Sequence, residues 1–135
     1  MSSSIHHVAI AVRDLDAALG FYRDTLGLEM TERREVPEEG VEIAFLPAGG
    51  GEIELLRPLD EASGVARFLE KRGEGLHHVC LAVDDIDAAV ERLRAAGARF
   101  LSQEPRVNAH GVRYVFVHPR SARGVLLEVY EMPVG

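Results

Sequence analysis

The sequence predicts an α+β fold built from two copies of one βαβββ module. Three observations predict it. The segment Ile5-His6-His7-Val8-Ala9-Ile10-Ala11-Val12-Arg13-Asp14-Leu15-Asp16-Ala17-Ala18 recurs 71 residues later as Leu76-His77-His78-Val79-Cys80-Leu81-Ala82-Val83-Asp84-Asp85-Ile86-Asp87-Ala88-Ala89, with nine of 14 pairs identical. The same shift carries Gly40-Val41 onto Gly111-Val112 and Phe45 onto Phe116. Apolar spacing then changes in the same order in both halves, from strand to helix and back to strand.

Each module opens with an apolar, β-branched run, 5–12 and 76–83. Asp14 and Asp85 follow as N-caps, and helical spacing takes over through Leu15, Ala18, Leu19, Tyr22 and Leu26, or through Ile86, Ala89, Val90 and Leu93. Gly27 and Gly97 stand where a helix C-terminus is closed. Three further strands are expected in each half, over 28–35, 41–47 and 52–57, then over 99–106, 112–118 and 124–130. Between the halves, a short helix capped by Ser63 or Asp60 carries Val65, Phe68 and Leu69 on one side and ends at Gly73. The expected organisation is one domain over 1–135, with module 1 at 5–59, a connecting helix within 60–75 and module 2 at 76–131, the two pairing around a shared cleft.

Composition bounds the function. A chain of 135 residues and 14.8 kDa with 47% apolar and 27% charged residues is one ordinary globular domain. No apolar run approaches the roughly 18 residues of a membrane span, and the first residues lack a signal-peptide pattern, so a cytoplasmic protein is expected. The net charge of −7, with no basic stretch, argues against nucleic acid. A single cysteine, Cys80, permits no intrachain disulfide and no thiolate metal site, so any metal chemistry must use histidine and carboxylate.

Strand parity sorts the paired histidines. Ile5, His7, Ala9 and Ala11 share one face and His6, Val8, Ile10 and Val12 the other; the second copy repeats this with Leu76, His78, Cys80 and Ala82 against His77, Val79, Leu81 and Val83. The bulky face suits a helix, which leaves His7 and His78 among small side chains. A lone histidine in a strand is more often structural than a ligand; two at equivalent positions of a duplication are metal-ligand candidates. His6 and His77 read as structural.

The closing strand of each half carries an acid between apolar residues, Glu54 in Ile53-Glu54-Leu55-Leu56 and Glu128 in Leu127-Glu128-Val129-Tyr130, once one residue is allowed for spacing after Gly51 and Gly124. A buried carboxylate is costly unless paired or coordinated. A solvent-facing strand accounts equally well for Glu54 and less well for Glu128. Together His7, Glu54, His78 and Glu128 make a two-histidine, two-carboxylate set for a divalent metal, with positions left for substrate oxygens. Cys80 reads as a packing residue.

The duplicated module with His-His-Val in each first strand and an acid in each last strand resembles the vicinal oxygen chelate superfamily of glyoxalase I, extradiol dioxygenases, bleomycin-binding proteins and methylmalonyl-CoA epimerases. Pro37-Glu38-Glu39-Gly40-Val41, Ile53-Glu54-Leu55-Leu56-Arg57-Pro58-Leu59, Gly75-Leu76-His77-His78-Val79-Cys80, Asn108-Ala109-His110-Gly111 and His118-Pro119 resemble the epimerase family in particular, along 5–131. The resemblance implies a half-open curved mixed sheet around a metal-containing cleft, and the four ligands already named, with Gln in place of Glu54 in some relatives. It implies Glu38 as the base, with Glu39 its rival; inversion at carbon needs an acid–base group on each face, and Glu128, doubling as a ligand or exchanging off the metal, is the candidate for the second. It further implies an acyl-CoA substrate, a divalent ion with cobalt foremost and zinc, nickel, manganese or magnesium as alternatives, and a homodimer. Arg57, Arg67, Lys71, Arg72, Arg120 and Arg123 are candidate contacts to the anionic coenzyme A, and His110 or His118 a candidate to orient a ligand. A glyoxalase I acting on a glutathione hemithioacetal and a metal-free binding protein of the bleomycin-sequestering type are the alternatives.

Overall fold

The computed structural model describes residues 3–132. Its contacts divide the described residues into two compact units, one running from His7 to His77 and the other joining 3–6 to 78–132. Both boundaries fall between the two histidines of a pair.

In the His7–His77 unit the strands are β1 (Ser3–Ala11, from His7 on), β2 (Glu32–Val36), β3 (Val41–Ala48) and β4 (Gly51–Pro58), in the order β2-β3-β4-β1. The β2–β3 and β3–β4 pairs are antiparallel, whereas β1 runs parallel to β4, as a helical crossover requires. That crossover is α1 (Leu15–Leu19), capped as expected by Asp14, whose Oδ1 accepts from Ala17 N–H at 3.1 Å. Leu15 and Leu19 pack with Val12, Ala44, Leu46 and Leu55, so the bulky parity of β1 does face this helix. The opposite face, carrying Ala9, Ala11, Ile43 and Leu56, is covered by α2 (Gly64–Arg72) through Val65 and Leu69. Ser63 is the α2 cap, its Oγ accepting from Ala66 N–H at 3.1 Å, while Asp60 Oδ1 accepts from Ala62 N–H one turn earlier.

The second unit holds β5 (Gly75–Val83, from His78 on), α3 (Ile86–Ala95), β6 (Arg106–Val107), β7 (Arg113–Val117) and β8 (Leu127–Glu131), in the order β5-β8-β7-β6. Again the first and last strands of the repeat are parallel and the others antiparallel. Asp85 caps α3 through Ala88 N–H at 3.0 Å, and Ile86, Ala89 and Val90 pack on Val83, Val115, Val117 and Val129.

Four elements depart from the spacing. After Leu19 the helix widens into a π-helical segment, Gly20–Thr25, in which Leu26 N–H donates to Phe21 C=O at 2.8 Å. A π turn takes more residues than an α turn, so the apolar stripe rotates outward and Leu26 ends 56% exposed rather than buried. The strand expected over 28–35 is confined to Glu32–Val36, because Leu28 N–H is used in closing the helix, donating to Tyr22 C=O. The strand expected over 99–106 reduces to one bridge, Phe100 to Val117, and to Arg106–Val107. Ser102-Gln103-Glu104-Pro105 interrupts it: Ser102 Oγ donates to Glu104 C=O, and Pro105 has no N–H to give a ladder. The last strand begins at Leu127 rather than 124, since the preceding residues close a hydrogen-bonded loop.

Candidate metal and acid–base site

Strand register builds the same half-site twice. In the first unit Ala9 lies opposite Glu54 across the parallel β1–β4 ladder, and His7, two residues before Ala9, projects on the same face. In the second, Cys80 lies opposite Glu128 across β5–β8, with His78 two residues before it. The one-residue allowance in the spacing thus corresponds to an identical register. On its other side each acid faces an equivalent aromatic residue, Phe45 across from Glu54 and Phe116 across from Glu128.

The side chains converge accordingly. His7 Nδ1 lies 3.2 Å from Glu54 Oε2, and His78 Nε2 lies 3.2 Å from Glu128 Oε1. All four residues are buried, with exposures of 4% to 7%, and Glu52, half-buried, shares the face of β4 with Glu54. The phenyl ring of Phe116 meets His78 edge-on at 5.3 Å between centroids, which fixes the imidazole plane against β7. This aromatic wall was signalled in the sequence only by the transfer of Phe45 onto Phe116 under the repeat shift.

Each pair suits a divalent cation by its donor chemistry. Nitrogen and oxygen ligands bound at about 2.0–2.2 Å stand about 3 Å from each other on one ion, which is the spacing within each pair. A neutral imidazole beside an ionised carboxylate supplies the borderline donor set that transition metals prefer to calcium's all-oxygen one. Burial supplies the reason for a partner, since a carboxylate at this depth needs compensation.

The remaining candidates occupy different places. Glu38 and Glu39 sit exposed on a 3₁₀ turn, Pro37–Glu39, that links β2 to β3. The turn is held from below: Gly40 has φ of 70°, its C=O accepts from Leu59 N–H at 2.8 Å, and a Cβ built on it would stand 2.9 Å from that of Ser63. His6 stacks on Tyr130 at 4.7 Å, and His77 meets Phe68 edge-on at 5.0 Å. His118 accepts from Arg120 N–H through Nδ1 at 3.0 Å, while His110 lies exposed in a turn that Asn108 organises through its Oδ1. Asn108 also donates through Nδ2 to Tyr130 Oη at 3.1 Å, a tie to the strand of Glu128 that the sequence did not signal.

Of the candidate cations, Arg57 is taken up by Glu42, with which Arg33 also pairs; Arg67 donates to Ala62 C=O, and Arg72 lies over the Phe68 ring. Glu42 carries the consequence: the Arg33 hydrogen bond, ahead of that from Arg57, holds its carboxyl below the usual range despite partial desolvation.

Two duplicated βαβββ units with a buried histidine–carboxylate pair in each define a class, and residues 6–116 match the family described as the Glyoxalase/Bleomycin resistance protein/Dioxygenase superfamily. The chain belongs to that superfamily and has its fold. It is 46% identical over 134 residues to the ethylmalonyl-CoA/methylmalonyl-CoA epimerase of Cereibacter sphaeroides, covering 98% of this chain and 100% of that one. It is 44% identical over 126 residues to the human mitochondrial methylmalonyl-CoA epimerase, covering 93% of this chain and 72% of that one. A solved methylmalonyl-CoA epimerase in complex with methylmalonyl-CoA and NH4+ superposes with a TM-score of 0.87 at 38% identity, over 99% of this chain and 97% of that chain. A variant of the Streptomyces coelicolor methylmalonyl-CoA epimerase bound to 2-nitronate-propionyl-CoA gives 0.85 at 39% identity, over 96% and 97%. Within the superfamily, the family of this chain is that of the methylmalonyl-CoA epimerases.

Proposed function

We infer that this chain is an isomerase that interconverts the (2R) and (2S) forms of methylmalonyl-CoA, with ethylmalonyl-CoA a second substrate by likeness to the Cereibacter relative. The observation that carries the reading is the twofold recurrence of one buried imidazole–carboxylate pair in a chain whose full-length relatives are epimerases.

Epimerisation removes a weakly acidic hydrogen from the carbon between a thioester and a carboxylate, then returns one to the opposite face. His7, Glu54, His78 and Glu128 are the proposed ligands of one divalent ion, cobalt first among the alternatives. Bound there, the ion supplies positive charge to the oxygens that become anionic as the carbon is deprotonated. The chain's own groups do the proton transfer. Glu38, on its exposed turn, is the proposed base for one face, and Glu128 serves the other. A positioned acid–base group contributes about 10²–10⁴-fold. Phe45 and Phe116, opposite the two acids across the ladders, supply an apolar wall to the proposed site. A homodimer and a cytoplasmic location complete the proposal. Among the described residues, no helix is long and apolar enough to cross a membrane.

Incubation with (2S)-methylmalonyl-CoA in deuterated water tests the reading. Deuterium at C2 and appearance of the (2R) form are expected. Absence of exchange, with isomerisation of a methylglyoxal–glutathione adduct instead, would make the chain a glyoxalase. Replacement Glu38→Gln should retain metal and lose exchange at least a hundredfold; full turnover would remove Glu38 from the mechanism.

A further inference from the structure

We propose that Tyr130 contacts the substrate, its hydroxyl donating a hydrogen bond to the free carboxylate of a malonyl-type thioester. The proposal rests on the epimerase reading for its ligand and on the register of β8 for its location.

Tyr130 follows Glu128 by two residues on β8, so the two side chains leave the same face one pleat, about 7 Å, apart. Its ladder partners are Ala82 on β5 and Tyr114 on β7. The equivalent residue of the first unit is Leu56, between Ala11 and Ile43. There α2 packs on the trio through Val65 and Leu69, leaving Leu56 and Ile43 only 4% and 6% exposed. Among the described residues the second unit has one helix, α3, and it packs on the other parity, on Val83, Val115, Val117 and Val129. Tyr130 and Tyr114 are half-buried instead of sealed. The duplication therefore differs one pleat beyond its acids: the first half-site ends on aliphatic residues under a helix, the second on two phenols with no helix of their own unit above them. That is the side on which a polar acyl group held beside Glu128 meets hydroxyls.

The neighbours of Tyr130 aim its hydroxyl. Asn108 Oδ1 accepts from two backbone N–H groups, those of His110 at 2.9 Å and Val112 at 3.0 Å, which fixes Nδ2 as the donor end of the amide. Nδ2 donates to Tyr130 Oη at 3.1 Å. The phenol oxygen is thus an acceptor toward the turn, and its hydrogen is given in another direction. His6 stacks on the ring at 4.7 Å and 21°, which holds its plane.

The chemistry of the donor selects its acceptor. An arginine one pleat from Glu128 would pair with that acid, as Arg57 pairs with Glu42. A neutral phenol supplies a donor without a competing charge. The malonyl carboxylate is charged before the reaction begins whereas the thioester oxygen is neutral, and hydrogen bonds to charged oxygens are roughly twice as strong. Because the carboxylate keeps its charge throughout the reaction, the bond stabilises ground state and transition state alike and sets KM more than kcat.

The test compares wild type with Tyr130→Phe, Asn108→Asp and the double variant, each checked for folding by a thermal melt. Tyr130→Phe removes the hydroxyl and keeps the ring on His6. Titration calorimetry with malonyl-CoA and with propionyl-CoA, which lacks the carboxylate, measures the preference for the acid. Tyr130→Phe should lower that preference about tenfold and raise KM for methylmalonyl-CoA by a similar factor, with a much smaller fall in kcat. Asn108→Asp keeps an oxygen for the two N–H groups but turns the donor into an acceptor, which draws the phenol hydrogen back to the turn. It should lower the preference with Tyr130 in place and do far less in the Tyr130→Phe background. An unchanged preference in Tyr130→Phe overturns the carboxylate contact while epimerisation stands, whether or not kcat falls. Equal effects of Asn108→Asp in both backgrounds overturn the aiming of the hydroxyl. If wild type neither exchanges C2 hydrogen nor prefers malonyl-CoA, the epimerase reading falls and the contact with it.

Discussion

Cys80 is the direct register partner of Glu128 in the parallel β5–β8 ladder, the position that Ala9 holds opposite Glu54 in the first unit. Both are fully buried, at 0% exposure. A thiol beside a proposed ligand invites a role in coordination, but its counterpart in the other half-site has no ligand atom at all. Replacement Cys80→Ala therefore makes the second half-site chemically equal to the first. Metal content by elemental analysis and C2 exchange should both be retained, with stability lower by about 1 kcal/mol for the lost sulfur contacts. Loss of the metal would make the thiol a ligand.

The two acids should differ in what their amides can replace. Glutamine keeps a carbonyl oxygen but gives up charge and the ability to hold a proton. Glu54→Gln should keep bound metal and most exchange, because Glu54 is assigned ligation alone. Glu128→Gln should lose exchange by about 10²–10⁴-fold even at saturating metal, because Glu128 is also assigned the second proton transfer. Metal titration followed by deuterium incorporation separates the effects; equal losses in both variants would deny Glu128 its second role.

Glu42 joins three strands through its two arginines, Arg33 on β2 at 3.1 Å and Arg57 on β4 at 3.0 Å, and Arg33 reaches on to Asp16 of α1 at 2.6 Å. Arg33 holds the carboxyls of both Glu42 and Asp16 below their usual values of 4.5 and 3.8. A carboxyl depressed on folding stabilises above its unfolded pKa, and that stabilisation disappears as pH falls through the folded one. The unit should accordingly lose stability below about pH 4.5. Glu42→Gln should cost about 1–2 kcal/mol at pH 7 and shrink the difference between melts at pH 7 and pH 4. A variant as acid-sensitive as wild type would place the effect elsewhere.

What the sequence made legible follows from which signals are local. Histidine parity was readable because a strand alternates with period two, and Glu54 and Glu128 because an acid among Ile, Leu and Val stands out within three residues. The widening of α1 was not readable, since the i to i−5 bond at Leu26 competes with an ordinary i to i−4 bond that the same residues could make. Nor was the engagement of Arg57: its acid is 15 residues away and is selected by the register of β3 on β4.

Gly40 is where backbone geometry and the proposed base meet. Its φ of 70° suits glycine, and its Cα faces Ser63 so closely that a methyl group would stand 2.9 Å from the Ser63 Cβ. That neighbour cannot swing away, because Ser63 is the cap of α2 and its hydroxyl is held by Ala66 N–H. Gly40→Ala must therefore displace either the α2 cap or the Pro37–Glu39 turn. A cost of about 2–3 kcal/mol is expected from the left-handed backbone and the overpacking together. Because Glu38 is two residues away, exchange at C2 should fall further than stability alone explains, with kcat reduced at a temperature where the variant remains folded. Metal content should be unaffected, since His7 and Glu54 lie on other strands. A variant that melts lower but turns over at the wild-type rate would show that the position of this turn does not limit the proton transfer.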